Sequence, residues 1–558
     1  MSKYTSKYIL NPFTIIALCL FVRLLLLLLG WPHSNVDEST VGEMAINIAY
    51  HGDHPVFFYG QDYMGALQAY LAAALFSISD ASLFNLRLAQ LLLLAIFLSG
   101  IYILTKLLYS RGLALFTTLL LGFGNYLTIY REAQAIGGYP DTLAFGALVF
   151  LLASWLALTS PSFPQSTGPV LPWKRMLAFV GWGLAAGLGL WSDLLIVPSL
   201  IMSGLLLVIA CWREWRSLAP LALVGGLIVG ALPLLLFNIM AAPGHDSITT
   251  LRQIYNHGNA PLLATLPQTL KSALLVGLPT FSNFPTVCSV NDTLFMGGRG
   301  QKALLCAALQ GGWSALVILL WLTALLLAGW TIVRNMRLAA RSEERVERRH
   351  INIIALARLS LLLSAAMTFV LYATSTTAIY EPYLSSRYLI AILLTTPAVL
   401  YPLWPGSGSF KRARAGRARI ANNSRLVALA AIAACYLLGT LLVFAAAPGE
   451  RMQNQQELVL VQTVMRMGIK HVYSDFWTCD NLIFISKTRV LCSTTDEHMK
   501  PDGSRYQPFG LAVLADAKAD YIFPITSPHA SACKKFLTEH GIKYQQYEIN
   551  NYVVYKLL

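Results

Sequence analysis

About eleven apolar runs, most of them long enough to cross a bilayer, alternate with short segments rich in arginine and lysine, and no soluble fold accommodates that pattern. The runs fall near 12–31, 84–108, 112–130, 139–160, 176–192, 194–212, 218–240, 313–333, 353–373, 388–404 and 426–446. Of the 558 residues, 56% are hydrophobic and only 12% are charged, as a polytopic membrane protein requires. A net charge of +14 would ordinarily raise nucleic acid as a partner. Here the basic residues sit in short inter-span loops, so they read as topology signals and nucleic acid is set aside.

Alternating from a cytoplasmic N-terminus puts Lys106 with Arg111, Lys174 with Arg175, Arg213 with Arg216, and the runs Arg334 to Arg349 and Lys411 to Arg425 on the inside. The two large loops, 32–83 and 241–312, then face outward and carry most of the acids of the membrane domain. The chain divides into a membrane domain over 1–446 and an extracytoplasmic α/β domain over 447–558. In the latter, helix 456–468, strand His471–Ser474, helix 480–486, strand Arg489–Cys492, helix 508–517, strand Tyr521–Pro524, helix 530–540 and strands 543–548 and 551–557 follow in order. Loop 405–425, rich in Gly, Ser and Arg, reads as disordered and as a topology determinant. Lys3 and Lys7 precede the first run without a small-residue cleavage site after it, so that run reads as a retained helix.

The first outer loop is patterned. Ser39–Tyr50 has amphipathic helical spacing with Val41, Met44, Ala45 and Ile48 on one side, and 64–79 is apolar but short for a crossing, as an interfacial helix would be. Asp37 and Glu38 stand just past the first span, where acids are costly unless solvated or paired. They would also suit the start of the helix that follows. His51, Asp53 and His54 offer no firm third ligand and read as loop residues rather than as a metal site. Cysteines 288, 306, 479, 492 and 533 fall in outward segments; Cys288–Cys306 and Cys479–Cys492 are candidate disulfides, with unpaired buried thiols equally open. Gly181, Gly183, Gly187 and Gly189 lie inside a span and read as helix packing, not as a phosphate loop.

Four stretches, in order, resemble the GT-C class of membrane glycosyltransferases, and most of all the family of protein O-mannosyltransferases and aminoarabinose transferases. They are Arg23 ahead of Asp37-Glu38; Phe57 to Gly65 and on to Tyr70, followed by Leu86-Arg87-Leu88; Arg131 with Gly137-Gly138-Tyr139-Pro140-Asp141; and Ser386-Arg387-Tyr388-Leu389. The resemblance covers about the first 400 residues, and the Asp-Glu pair with Glu43 nearby departs from the best-known members. It implies transfer of a sugar from a polyprenyl-phosphate donor to a hydroxyl of a protein, lipid or cell-envelope glycan at the outer membrane face. Asp37, Glu38 and Asp141 are the catalytic candidates, with Asp37 as base. Arg387, Arg131 and Lys271 are candidates for the donor phosphate. Tyr59, Gln61, Tyr63, Tyr139 and Tyr388 are candidates for the substrate pocket. No cofactor is implied; a divalent metal is possible but not indicated. With no separate nucleophile evident, the expected stereochemistry is inversion. A transporter or flippase of lipid-linked sugars is the alternative, but no internal repeat supports it. A receptor or scaffold would have little use for so many spans.

Overall fold

The computed structural model describes residues 11–160, 172–256, 262–294, 297–337, 342–405 and 415–558. Among them, six helices are long and apolar enough to cross a membrane, or eight if each of two bent helix pairs is one span. The protein is a multi-pass membrane protein. Residues 406–414, fewer than half of the loop 405–425 read as disordered, lie outside the described residues; from Ala415 the rest of that loop is helical, against the expectation.

Two compact units divide the chain. The first comprises Met1–Val22, Leu93–Glu132 and Gly138–Phe444. Two of its expected spans are bent. Over 112–130 the chain forms helices Arg111–Leu121 and Tyr126–Ala133, at 87° to each other. The break follows from Gly122-Phe123-Gly124-Asn125. The Asn125 side chain accepts from the Thr128 amide at 3.0 Å and starts the second helix, while its own amide donates to Asn283 at 3.0 Å. Over 218–240, helices Ala219–Gly230 and Leu232–Met240 meet at 67°, where Pro233 cannot continue the hydrogen-bond ladder. The span expected at 388–404 opens as a 3-10 helix, Ser386–Thr395, an unusual length for that geometry. Cys288 and Cys306 are joined as a disulfide.

Helix Trp173–Ser192 packs along helix Ala219–Gly230 through a glycine seam. A Cβ on Gly187 would lie 2.4 Å from the Leu227 carbonyl oxygen, and one on Gly183 would lie 2.1 Å from that of Leu223. Backbone cannot yield as a side chain can, so these glycines let the helices touch. Gly187→Leu is expected to cost about 1–3 kcal/mol through overpacking. Gly181→Ala, where the nearest atom is 3.5 Å from the added carbon, should be neutral. Thermal midpoints of the two variants check this.

The second unit comprises Arg23–Leu92, Ala133–Gly137 and Ala445–Leu558. Its first part holds helix Val36–Ile46, a π-helical turn over Asn47–His51, the hairpin β1 (Phe57–Phe58) and β2 (Gln61–Gly65), and helix Leu67–Phe76. The hairpin has no alternating apolar pattern to announce it. Its C-terminal part is a six-stranded sheet in the order β5-β4-β3-β6-β8-β7, from β3 (His471–Ser474), β4 (Leu491–Thr495), β5 (Pro501–Gly503), β6 (Asp520–Pro524), β7 (Tyr544–Ile549) and β8 (Tyr552–Leu557). β4, β3 and β6 are parallel, and β5, β8 and β7 run antiparallel to their neighbours. Val472, Ile522 and Val554 face Leu460, Val464 and Leu482 on one side; Phe523, Val553 and Tyr555 face Ala530, Cys533 and Leu537 on the other. The result is an α/β domain with helices on both faces. A disulfide between Cys479 and Cys492 ties helix Phe476–Ile485 to β4. The separate span and helix expected at 426–446 and 456–468 are one helix, Ala415–Arg466, which continues through Pro448.

Helix Val36–Ile46 begins earlier than its spacing suggests and is buried on nearly every side, not amphipathic. The reason is helix Phe476–Ile485, which covers its polar face: a Cβ on Gly42 would lie 2.4 Å from the Phe484 ring. That covering helix also meets the polar face with polar partners, Asn481 accepting from Ser39 and Asp480 from Thr40.

Candidate active site

Within the second unit, the acid pair sits in the first turn of helix Val36–Ile46 and is not its cap. Asn35 caps the helix, accepting from the Glu38 amide at 2.9 Å. The two acids then meet different surroundings. Glu38 is fully buried, and both its oxygens are taken by Arg87, through Nε at 2.8 Å and Nη2 at 2.7 Å. Gln134 donates to the same carboxylate at 3.1 Å and to the His33 carbonyl at 2.8 Å. This is a bidentate, desolvated ion pair that locks loop geometry.

Asp37 is one-third exposed at its side chain. Its Oδ1 accepts from Arg505 Nη2 at 2.7 Å. Arg505 Nη1 donates to the Thr40 hydroxyl at 3.0 Å, and that hydroxyl donates to Asp480 at 2.5 Å. Arg505 Nε lies 3.7 Å from the same Asp480 carboxylate. Burial pushes Asp480 up to about 6, against the opposing pull of the Thr40 hydrogen bond and Arg505. Burial, and then the neighbouring Asp480, raise Glu43 well above the usual carboxylate range. Arg505 is thus the cation facing three acids. Neither it nor Asp480 carries a motif, and no sequence pattern singles them out.

The tyrosines of this unit are partly committed. Tyr59 donates to Asp53, accepts from Asn47 at 3.2 Å, and stacks on Tyr506 at 4.5 Å between ring centres. Gln61 and Tyr63 lie half-buried on β2. His51 contacts the Asn47 side chain. Among the described residues, no three His, Cys, Asp or Glu side chains form a metal-holding group.

Within the first unit, Pro140 and Asp141 open helix Tyr139–Thr159, and Asp141 is buried. The Tyr139 ring is flanked by two guanidiniums, Arg131 at 5.5 Å and Arg387 at 5.8 Å. Arg387 also lies 5.4 Å from the Tyr388 ring. Asp193, in the turn after helix Trp173–Ser192, packs so close to Gly138 that a Cβ there would fall 2.3 Å from its own. Burial pushes Asp193 up to about 6 against the pull of a backbone hydrogen bond and of Arg387. A cavity of about 300 Å³ has a mixed lining, with Leu195, Pro198 and Leu371 beside Thr368, Ser375 and Tyr388. The structure therefore brings Arg131, Arg387, Tyr139 and Tyr388 together and adds Asp193. Lys271 stands exposed in the last turn of helix Leu262–Ser272, and among the described residues it makes no ion pair.

No family model and no curated protein matches the sequence. Solved structures do. ArnT from Cupriavidus metallidurans bound to undecaprenyl phosphate superposes with a TM-score of 0.57 at 14% identity, over 97% of each chain. Its apo form gives 0.55 at 12% identity, covering 97% of this chain and 96% of that one. The apo oligosaccharyltransferase of Archaeoglobus fulgidus gives 0.50 at 12% identity, over 100% of this chain and 75% of that one. The fold is that of the GT-C membrane glycosyltransferases.

Proposed function

We propose that the protein moves a sugar from a polyprenyl-phosphate donor to an acceptor hydroxyl, at the extracytoplasmic face and with inversion. The observation that carries this reading is the asymmetry of the acid pair: Glu38 is sealed by Arg87, while Asp37 keeps one oxygen clear of its pair with Arg505. In this reaction Asp37 takes the acceptor proton as the acceptor oxygen attacks the anomeric carbon. The bond from that carbon to the phosphate oxygen breaks, and its electron pair leaves on the polyprenyl phosphate. Arg387 and Arg131 balance the charge that develops there. Glu38 holds the loop, and Asp141 orients the sugar. The cavity whose lining includes Tyr388, the chain neighbour of Arg387, offers leucine, valine and proline side chains to an isoprenoid chain near the candidate phosphate site. The undecaprenyl phosphate bound to ArnT, which shares the fold, is consistent with such a donor. The acceptor is a protein, lipid or envelope glycan.

The test is sugar transfer from a panel of polyprenyl-phosphate sugars in isolated membranes. Wild type is expected to use one donor, and Arg387→Ala to lose about 100-fold in kcat/KM for it. Absence of transfer from every donor by folded protein supplied with cell-envelope acceptors would overturn the reading.

A further inference from the structure

We propose that Arg505 is the positioning residue for Asp37, so that the C-terminal α/β domain completes the catalytic site. The inference rests on Asp37 being the base. β3 is the strand at which chain order reverses, with β4 on one side and β6 on the other. Open α/β sheets place their functional groups beyond the carboxyl ends of such strands. The helix leaving β3 carries Asp480, the loop after β5 carries Arg505, and both reach helix Val36–Ile46.

The guanidinium is held on every side. The rings of Phe58 and Phe476 lie 5.0 and 4.8 Å from it, and its fork spans Asp37 and Thr40 at 2.7 and 3.0 Å. Phe58 belongs to the first outer loop, and Phe476 follows the cap of the helix after β3. A planar cation fits this slot; a tetrahedral ammonium reproduces neither the stacking nor the fork. Glu43, pushed toward its protonated form by burial, competes little for the charge, so Asp37 keeps its partner. Fixing one carboxylate oxygen orients the other toward the acceptor.

The experiment measures transfer by wild type, Arg505→Ala and Arg505→Lys, with thermal midpoints beside the rates. Arg505→Ala is expected to lose about 100-fold in kcat, while KM for the donor stays within about threefold. Millimolar guanidinium should restore at least about tenfold of that loss by refilling the slot, and ammonium should not. Arg505→Lys should fall between, without loss of folded protein. An active wild type whose Arg505→Ala variant keeps kcat within about threefold overturns the positioning role alone. A loss that follows unfolding and ignores guanidinium overturns it too. A wild type that moves no sugar removes the base reading, and this inference with it.

Discussion

Asp37→Asn is expected to lower kcat for sugar transfer by about 100- to 10,000-fold, the range lost with a general base. The fold should survive. Asparagine keeps the side-chain volume and an oxygen that can still accept from Arg505, and the helix start is secured by Asn35. The exposure of Asp37 makes its removal cheap in stability, unlike that of Glu38. Parallel measurement of transfer rate and thermal midpoint separates the effects. A variant with an unchanged midpoint and a rate within about threefold of wild type would move the base elsewhere, with Glu43 and Asp480, the other acids facing Arg505, as the next candidates.

Arg87→Met should cost about 3–5 kcal/mol of stability, because it strands Glu38 as an uncompensated charge in a fully buried place. Its companion Glu38→Gln should cost less. The double variant should recover most of the difference, though not all, since Arg87 also donates to the Pro32 carbonyl at 2.8 Å. Chemical unfolding of the four proteins in one detergent gives the cycle directly. A single Arg87→Met variant within about 1 kcal/mol of wild type would mean that Glu38 is solvated or protonated in the folded chain. The contrast with Asp37 matters: adjacent acids are predicted to fail in opposite ways, one in rate and one in stability.

The sequence made the spans and the α/β order legible because hydropathy and alternation act locally. Strand His471–Ser474 lies where its pattern places it, and the Cys288–Cys306 and Cys479–Cys492 pairs are both formed. The bends at Gly122–Asn125 and Pro233 escaped a reading by average hydropathy, although their glycine, asparagine and proline were in view. The site was half visible. Asp37 and Glu38 stand out at a membrane edge, and Arg387 and Tyr388 carry a motif. What distinguishes Asp37 from Glu38 is not local. Arg87 lies 49 residues from its acid and Arg505 lies 468 from its own, and no periodicity links positions so far apart. Asp193 was hidden likewise, in a turn whose neighbour Gly138 is distant in sequence.

The second unit is assembled from three stretches of chain, the last of which begins at Ala445. During synthesis, Asp37 therefore emerges long before its cation, and a ribosome adding about 5–20 residues per second takes tens of seconds to deliver Arg505. For that interval the Val36 helix has no cover for its polar face, and the arginine slot lacks Phe476. A nascent or prematurely terminated chain can thread its helices into lipid and still hold an unoriented acid. Competence would then wait on the stretch after Ala445, and membrane insertion and activity become separable events in the life of one polypeptide.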